Sequence, residues 1–221
     1  MTSAIFIITV FLLLIFWITC LKKFTKKSSV ISYSILIWLT LTGALSFFGF
    51  FQRFDQLPPR IALAIIPVIG VIILISTSKK TTAFITHIPQ TWLINIQSFR
   101  VLIELILWRL VTTNIAPDIM SWHGRNFDII TGITAPIIAY YCFTKPQWHP
   151  RIALLWNSLG IILLGNVFIH GLLSAPTPFQ QILTEPANTF IGYFPYIWLP
   201  TFVVPSALLF HIFSIKKLLK K

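Results

Sequence analysis

The sequence predicts an all-α integral membrane protein of seven transmembrane helices, N-terminus outside and Lys-rich C-terminus in the cytoplasm. Three observations carry that expectation. Of 221 residues, 56% are hydrophobic and only 10% charged, with a mean hydropathy of +0.85; a soluble domain carries roughly 25% charged residues. Apolar runs of spanning length recur along the whole chain. The Lys and Arg residues sit between those runs, crowded onto alternate loops. No soluble core of this size hides so much apolar side chain.

A helix needs ~20 apolar residues to cross ~30 Å of hydrocarbon, and the runs fall at about 4–21, 30–51, 60–78, 92–113, 127–144, 151–173 and 190–215. The first has no basic segment before it and no small-residue cleavage site, and Lys22, Lys23, Lys26 and Lys27 follow it at once, so it reads as a retained helix and not a cleaved leader. The fourth is the least apolar. The seventh is long and interrupted by Pro195, Pro200 and Pro205, which leaves both of its ends open. Unpaired backbone groups are costly in lipid, so helices are the economical choice. The alternating ten-residue strands of a barrel are absent.

Orientation follows from the basic residues. With the N-terminus outside, the cytoplasmic segments hold 12 of them: Lys22, Lys23, Lys26, Lys27, Lys79, Lys80, Lys145, Arg151, Lys216, Lys217, Lys220 and Lys221. The outer segments hold 3, Arg53, Arg60 and Arg125, while Arg100 and Arg109 lie inside the fourth span. Asp55, Asp118, Asp128 and Glu185 all fall on the outer side. The net charge of +12 therefore points to anionic headgroups, not nucleic acid. Cys20 and Cys142 fall at cytoplasmic helix ends, where a disulfide is not expected.

An ordered but weak repeat runs through the chain. Phe24-Thr25-Lys26, Trp38, Gly43, Gly49, Phe51-Gln52, Pro67 and Lys79-Lys80 are followed in the same order by Phe143-Thr144-Lys145, Trp156, Gly160, Gly165, Phe179-Gln180, Pro205 and Lys216-Lys217. Chance matches between Leu/Ile-rich helices give the competing explanation. Taken as real, the repeat divides a single domain, 1–221, into a three-helix half (1–80), a linking helix (92–113) and a second three-helix half (127–221), related by an axis along the membrane normal. The layout is loosely similar to the 3+1+3 plan of SWEET-type sugar transporters, although their paired Pro-Gln motifs are not reproduced in matching spans.

The fourth span carries the most chemistry. Gln97, Arg100 and Glu104 are spaced i, i+3, i+7 and form one polar stripe on one helical face. An ionised side chain near the midplane costs on the order of 2.5–3.5 kcal/mol. In one reading Arg100 holds an anionic or polar solute while Glu104 takes a proton or cation. In the other the two pair with each other and dock the helix. Arg109 lies off the stripe, as a snorkelling residue. His123, Arg125 and Asp128, in the polar outer loop, are candidates for an outer vestibule, and Asn126 for the cap of the fifth span. Asn166 and His170 stand one turn apart as a secondary polar pair, read as a helix–helix hydrogen bond, and Asn157 is read the same way. Asp55 and Glu185 lie in the two outer repeat loops as a further candidate gate.

No catalytic residues, cofactor or metal site are expected. No nucleophile elbow, phosphate-binding Gly-rich loop or metal-ligand spacing appears, and His170 and His211 fall at opposite depths for a shared haem. The runs Gly124-Arg125-Asn126-Phe127-Asp128-Ile129-Ile130-Thr131-Gly132, Gln97-Ser98-Phe99-Arg100-Val101-Leu102-Ile103-Glu104 and Phe194-Pro195-Tyr196-Ile197-Trp198-Leu199-Pro200 resemble a family of uncharacterised bacterial multi-pass inner-membrane proteins, a resemblance that implies no activity. A transporter or channel for a small solute leads. A haem-binding or enzymatic membrane protein and a non-catalytic assembly subunit are the alternatives. The expected partners are the lipid bilayer and a small solute; oligomeric state is left open.

Overall fold

The computed structural model describes residues 1–220; Lys221, one of the expected cytoplasmic cations, lies outside them. Among these residues the structure is helical throughout, with no strand. The helices are α1 (Thr2–Phe24), α2 (Ser28–Phe47), α3 (Ala62–Thr77), α4 (Lys79–His87), α5 (Gln90–Asn95), α6 (Phe99–Thr112), α7 (Ile129–Ala139), α8 (Pro150–Ser174) and α9 (Val204–Leu219). A 3-10 turn, Ile96–Ser98, joins α5 to α6, and π turns extend α7 through Thr144 and precede α9 from Leu199.

Four helices are long and apolar enough to cross a membrane: α1, α2, α8 and the Leu199–Leu219 helix. A fifth crossing arises if α3 and α4, bent by 74°, count as one span. This is consistent with a membrane location. The remaining expected spans are helical but shorter or broken. The fourth is divided at the 3-10 turn, and the Ile129–Thr144 helix has an α part of 11 residues and a π part of 5, 16 in all. The seventh begins at Leu199 and not near 190, because Pro195 and Pro200 keep the preceding backbone out of the helical ladder.

One end of the bundle gathers the lysines. Lys23 lies over the Trp92 ring at 4.9 Å, Lys216 donates to the Ser76 carbonyl, and Lys217 donates to the Thr86 carbonyl at 3.0 Å. At the other end Ser3, in the first turn of α1, bonds the Tyr196 hydroxyl at 3.0 Å, and Ser46, near the end of α2, donates to Gly192 O at 2.9 Å.

α9 is the central post. α3, α4, α5 and α8 all pack on it, while α6 lies between α1 and α7. Pro205 has no N–H to give the Thr201 carbonyl, and Trp38 Nε1 of α2 donates to that oxygen at 3.3 Å instead. Trp198 Nε1 returns the contact, donating to Leu39 O of α2 at 3.0 Å. Gly43 and Gly160, expected as counterparts in a repeat, face Trp198 and His211 respectively. Both thus lean on the last helical segment, and the packing lends the repeat no support. The cysteines are free and buried.

Candidate functional site

The fourth-span stripe is buried in the bundle, with Gln97, Arg100 and Glu104 each at most 2% exposed. Their partners differ from the expected Arg100–Glu104 bridge. Arg100 Nε donates to Asp128 Oδ2 at 2.6 Å, and its Nη2 bonds Asp128 Oδ1. This is the one ion pair among the described residues. The fork geometry suits a carboxylate better than the single contact an i, i+4 neighbour offers. Its third arm, Nη1, reaches His211 Nε2 at 2.7 Å.

Glu104 turns to the loop before α7 and accepts from the Trp122 N–H at 2.7 Å and from Asn126 Nδ2 at 2.5 Å. α7 takes Asp128 as its N-cap, with no side-chain cap bond, so Asn126 is not the cap expected of it. Its Oδ1 accepts the Asp128 N–H at 3.0 Å just before α7, while its amide ties Glu104 to Met120 O at 3.0 Å. Gly132 makes this possible from α7: a Cβ there would sit 2.8 Å from Val101 Cγ2 and 2.9 Å from Val101 N. Only glycine lets α7 come close enough to α6 to pair Asp128 with Arg100.

The polar contacts continue toward the lysine-rich end. A guanidinium only donates, so His211 Nε2 accepts and its Nδ1 donates to Asn157 Oδ1, 2.9 Å away. Asn157 Nδ2 donates to Ser214 Oγ at 2.8 Å, and Gln90 Nε2 donates to the same hydroxyl at 2.5 Å. Asp128, Arg100, His211, Asn157, Ser214 and Gln90 form one unbroken side-chain chain drawn from α5 to α9. Gly160 seats it, since a Cβ would stand 2.4 Å from His211 Cε1. Gln97 lies beside the chain, giving its amide to Ala207 O at 3.0 Å while its Oε1 has no partner.

A cavity of about 60 Å³ opens against Arg100, Glu104, Asn126 and Asp128, closed on the other side by Val203, Leu164 and Met120. It exceeds the ~10–15 Å³ that one water needs, and its polar wall offers the required partners. Two carboxylates and one guanidinium line it.

The other predicted residues lie apart. His123 and Arg125 are exposed. Arg125 Nη1 touches His170 Nε2 at 3.4 Å, His170 Nδ1 donates to the Asn166 backbone carbonyl at 2.8 Å, and Asn166 Nδ2 donates to Arg125 O at 2.6 Å. Asn166 and His170 therefore fasten the loop before α7 to α8 instead of joining two helices directly. Of the three vestibule candidates, only Asp128 reaches the cavity. Both ring nitrogens of His170 and of His211 are occupied by protein groups, and no trio of His, Cys, Asp or Glu among the described residues is arranged to hold a metal. Asp55 and Glu185 are exposed.

Asn157 makes the helix–helix hydrogen bonds expected of it, from α8 to His211 and Ser214 on α9, whereas the roles of His211, Ser214 and Gln90 were not expected. A signal existed. Asn157 and Gly160 on α8, and His211 and Ser214 on α9, each stand three apart, so each pair shares one helical face. A polar side chain and a gap on one helix match two polar side chains on the next.

The family described as a domain of unknown function (DUF8737) matches residues 58–219. The chain belongs to this family. The DUF8737 match contains every member of the polar chain, from Gln90 to Ser214, and leaves α1 and α2 outside it. No curated protein and no solved structure matches the chain.

Proposed function

We propose that this DUF8737 protein is a seven-crossing inner-membrane transporter or channel for a small solute, N-terminus outside and C-terminus cytoplasmic, with the cavity beside Glu104 as a proton or cation position. The carrying observation is the charge count at that cavity. Arg100 is spent on Asp128 and His211, so the anion-holding role open to it from sequence is blocked in this arrangement. Glu104 has hydrogen-bond donors but no cation. A second carboxylate without a countercharge, inside a helical bundle, is expensive unless it serves a proton or ion. The chain from Asp128 to Gln90 supplies polar groups along the depth of the bundle.

The test is flux. Wild-type protein in liposomes should dissipate an imposed proton or cation gradient faster than empty vesicles, and Glu104→Gln at equal folded amount should lose most of that flux. Wild-type rates equal to those of empty vesicles would end the proposal. The internal pairing of Arg100 with Asp128 favours a second reading, a structural assembly subunit in which the chain only locks helices. A stable partner that co-purifies, with no gradient dissipation, would select it.

A further inference from the structure

We propose that the groove between α2 and α3 is a binding site for one anionic phospholipid, with its chains along the groove and its phosphate between Lys27 and Lys80. The groove measures about 760 Å³, inside the ~300–1,000 Å³ range of ligand sites. It exists because α2 is held by α1 and by the two indole bonds to the last segment, whereas α3 is held by α9. The 74° bend then carries α4 away from the axis of α3 and lays Lys80, Thr81 and Phe84 across one end.

The distribution of polarity identifies the occupant. Along its length the groove is walled by Trp17, Trp38, Ile35, Val71, Phe202 and Phe213. The indole N–H groups of Trp17 and Trp38 are already given to Ser206 Oγ at 2.9 Å and Thr201 O at 3.3 Å, so the rings offer only apolar faces. Charge enters at one end alone, as Lys27 and Lys80, both exposed and neither joined to a carboxylate among the described residues. An apolar length ending in two unpaired ammonium groups complements an acyl chain ending in a phosphate. A hydrophilic solute would need polar walls throughout. A partner helix would favour small residues that permit close approach, and these walls are aromatic and branched. The site does not depend on the transport reading; it rests on the lysine-rich end lying at a membrane surface.

The experiment takes full-length protein from vesicles of phosphatidylglycerol and phosphatidylcholine in equal amounts, washes it in mild detergent, and measures retained lipid by native mass spectrometry. Wild-type protein should keep phosphatidylglycerol over phosphatidylcholine. Lys27→Ala/Lys80→Ala should lower that retention by about tenfold, whereas Lys26→Ala/Lys79→Ala, which removes equal charge from the adjacent positions outside the groove, should leave it unchanged. Ser34→Trp, on the exposed face of α2 and pointed at the groove, should abolish retention of the chain with both lysines present. Equal loss in the two lysine pairs, or equal retention of both lipids by the wild type, overturns the site. So does a photo-crosslinker at position 34 that captures a second copy of the protein instead of lipid.

Discussion

The polar chain and the lipid-sized groove dispose of their polar atoms in opposite ways, although each includes serine and a basic group. In the chain, polar side chains from five helices face one another, and each finds its partner in a neighbour: Arg100 in Asp128, His211 in Asn157, Gln90 in Ser214. In the groove, the polar atoms of Trp17 and Trp38 turn away into the protein, so that what faces outward is ring. The same atoms make a wet seam or a dry wall according to where their hydrogen bonds are satisfied. A buried polar group costs ~1–3 kcal/mol when left unpaired. The chain therefore tolerates little change and the groove tolerates much.

That contrast breaks first at the ion pair. Asp128→Asn leaves Arg100 buried without its charge partner and should destabilise the protein by about 3–5 kcal/mol, seen as a lowered unfolding midpoint in detergent. Arg100→Met/Asp128→Leu should recover most of the loss, because no lone charge remains. Recovery by less than half would show that the pair does more than neutralise itself.

Next come two glycines, one seating the polar chain and the other seating α2 on Trp198. Gly160→Ala drives a methyl into His211 from 2.4 Å and should cost about 1–3 kcal/mol. Gly43→Ala meets the edge of Trp198 at 3.1 Å, which a shift of a few tenths of an ångström relieves, so its loss should stay below about 1 kcal/mol. Equal losses would mean that the seam at His211 is no more rigid than the contact of α2 with Trp198.

Glu104→Gln belongs between them. It keeps one acceptor but points an amide N–H at either Trp122 N–H or Asn126 Nδ2, for an expected loss of about 1–3 kcal/mol. Glu104→Asp, which retains the charge but shortens the reach, tells whether the loop requires the carboxylate or its position. The smallest effect is expected at the groove mouth. Lys27→Ala and Lys80→Ala should each change stability by no more than about 0.5 kcal/mol in detergent, since both side chains are exposed and neither ammonium has a carboxylate partner among the described residues.

Much of the architecture was legible in the order of residues. Each apolar run became largely helical, and the lysines that end α1, begin α4 and end α9 came to one end of the bundle. Burial of Gln97, Arg100 and Glu104 followed from their spacing on a helix. Their partners did not follow. Asp128 lies 28 residues from Arg100 and His211 lies 111 residues away, and no periodicity within one helix encodes a contact with another. The breaks at Ile96–Ser98 and at Leu199 likewise depend on what neighbouring helices offer the freed carbonyls, as Trp38 does for Thr201.

By itself the sequence determined the helical, apolar character of this chain, consistent with a membrane location, and the crowding of its charge, because hydrophobic burial acts on every residue wherever the chain folds. Tertiary structure alone decided which carboxylate meets Arg100, which histidine nitrogen accepts its third arm, and where the groove opens. Those outcomes turn on contacts of a few ångströms between distant helices. They exist only once Gly132 and Gly160 have let the helices close and Pro205 has freed a carbonyl for Trp38 to hold.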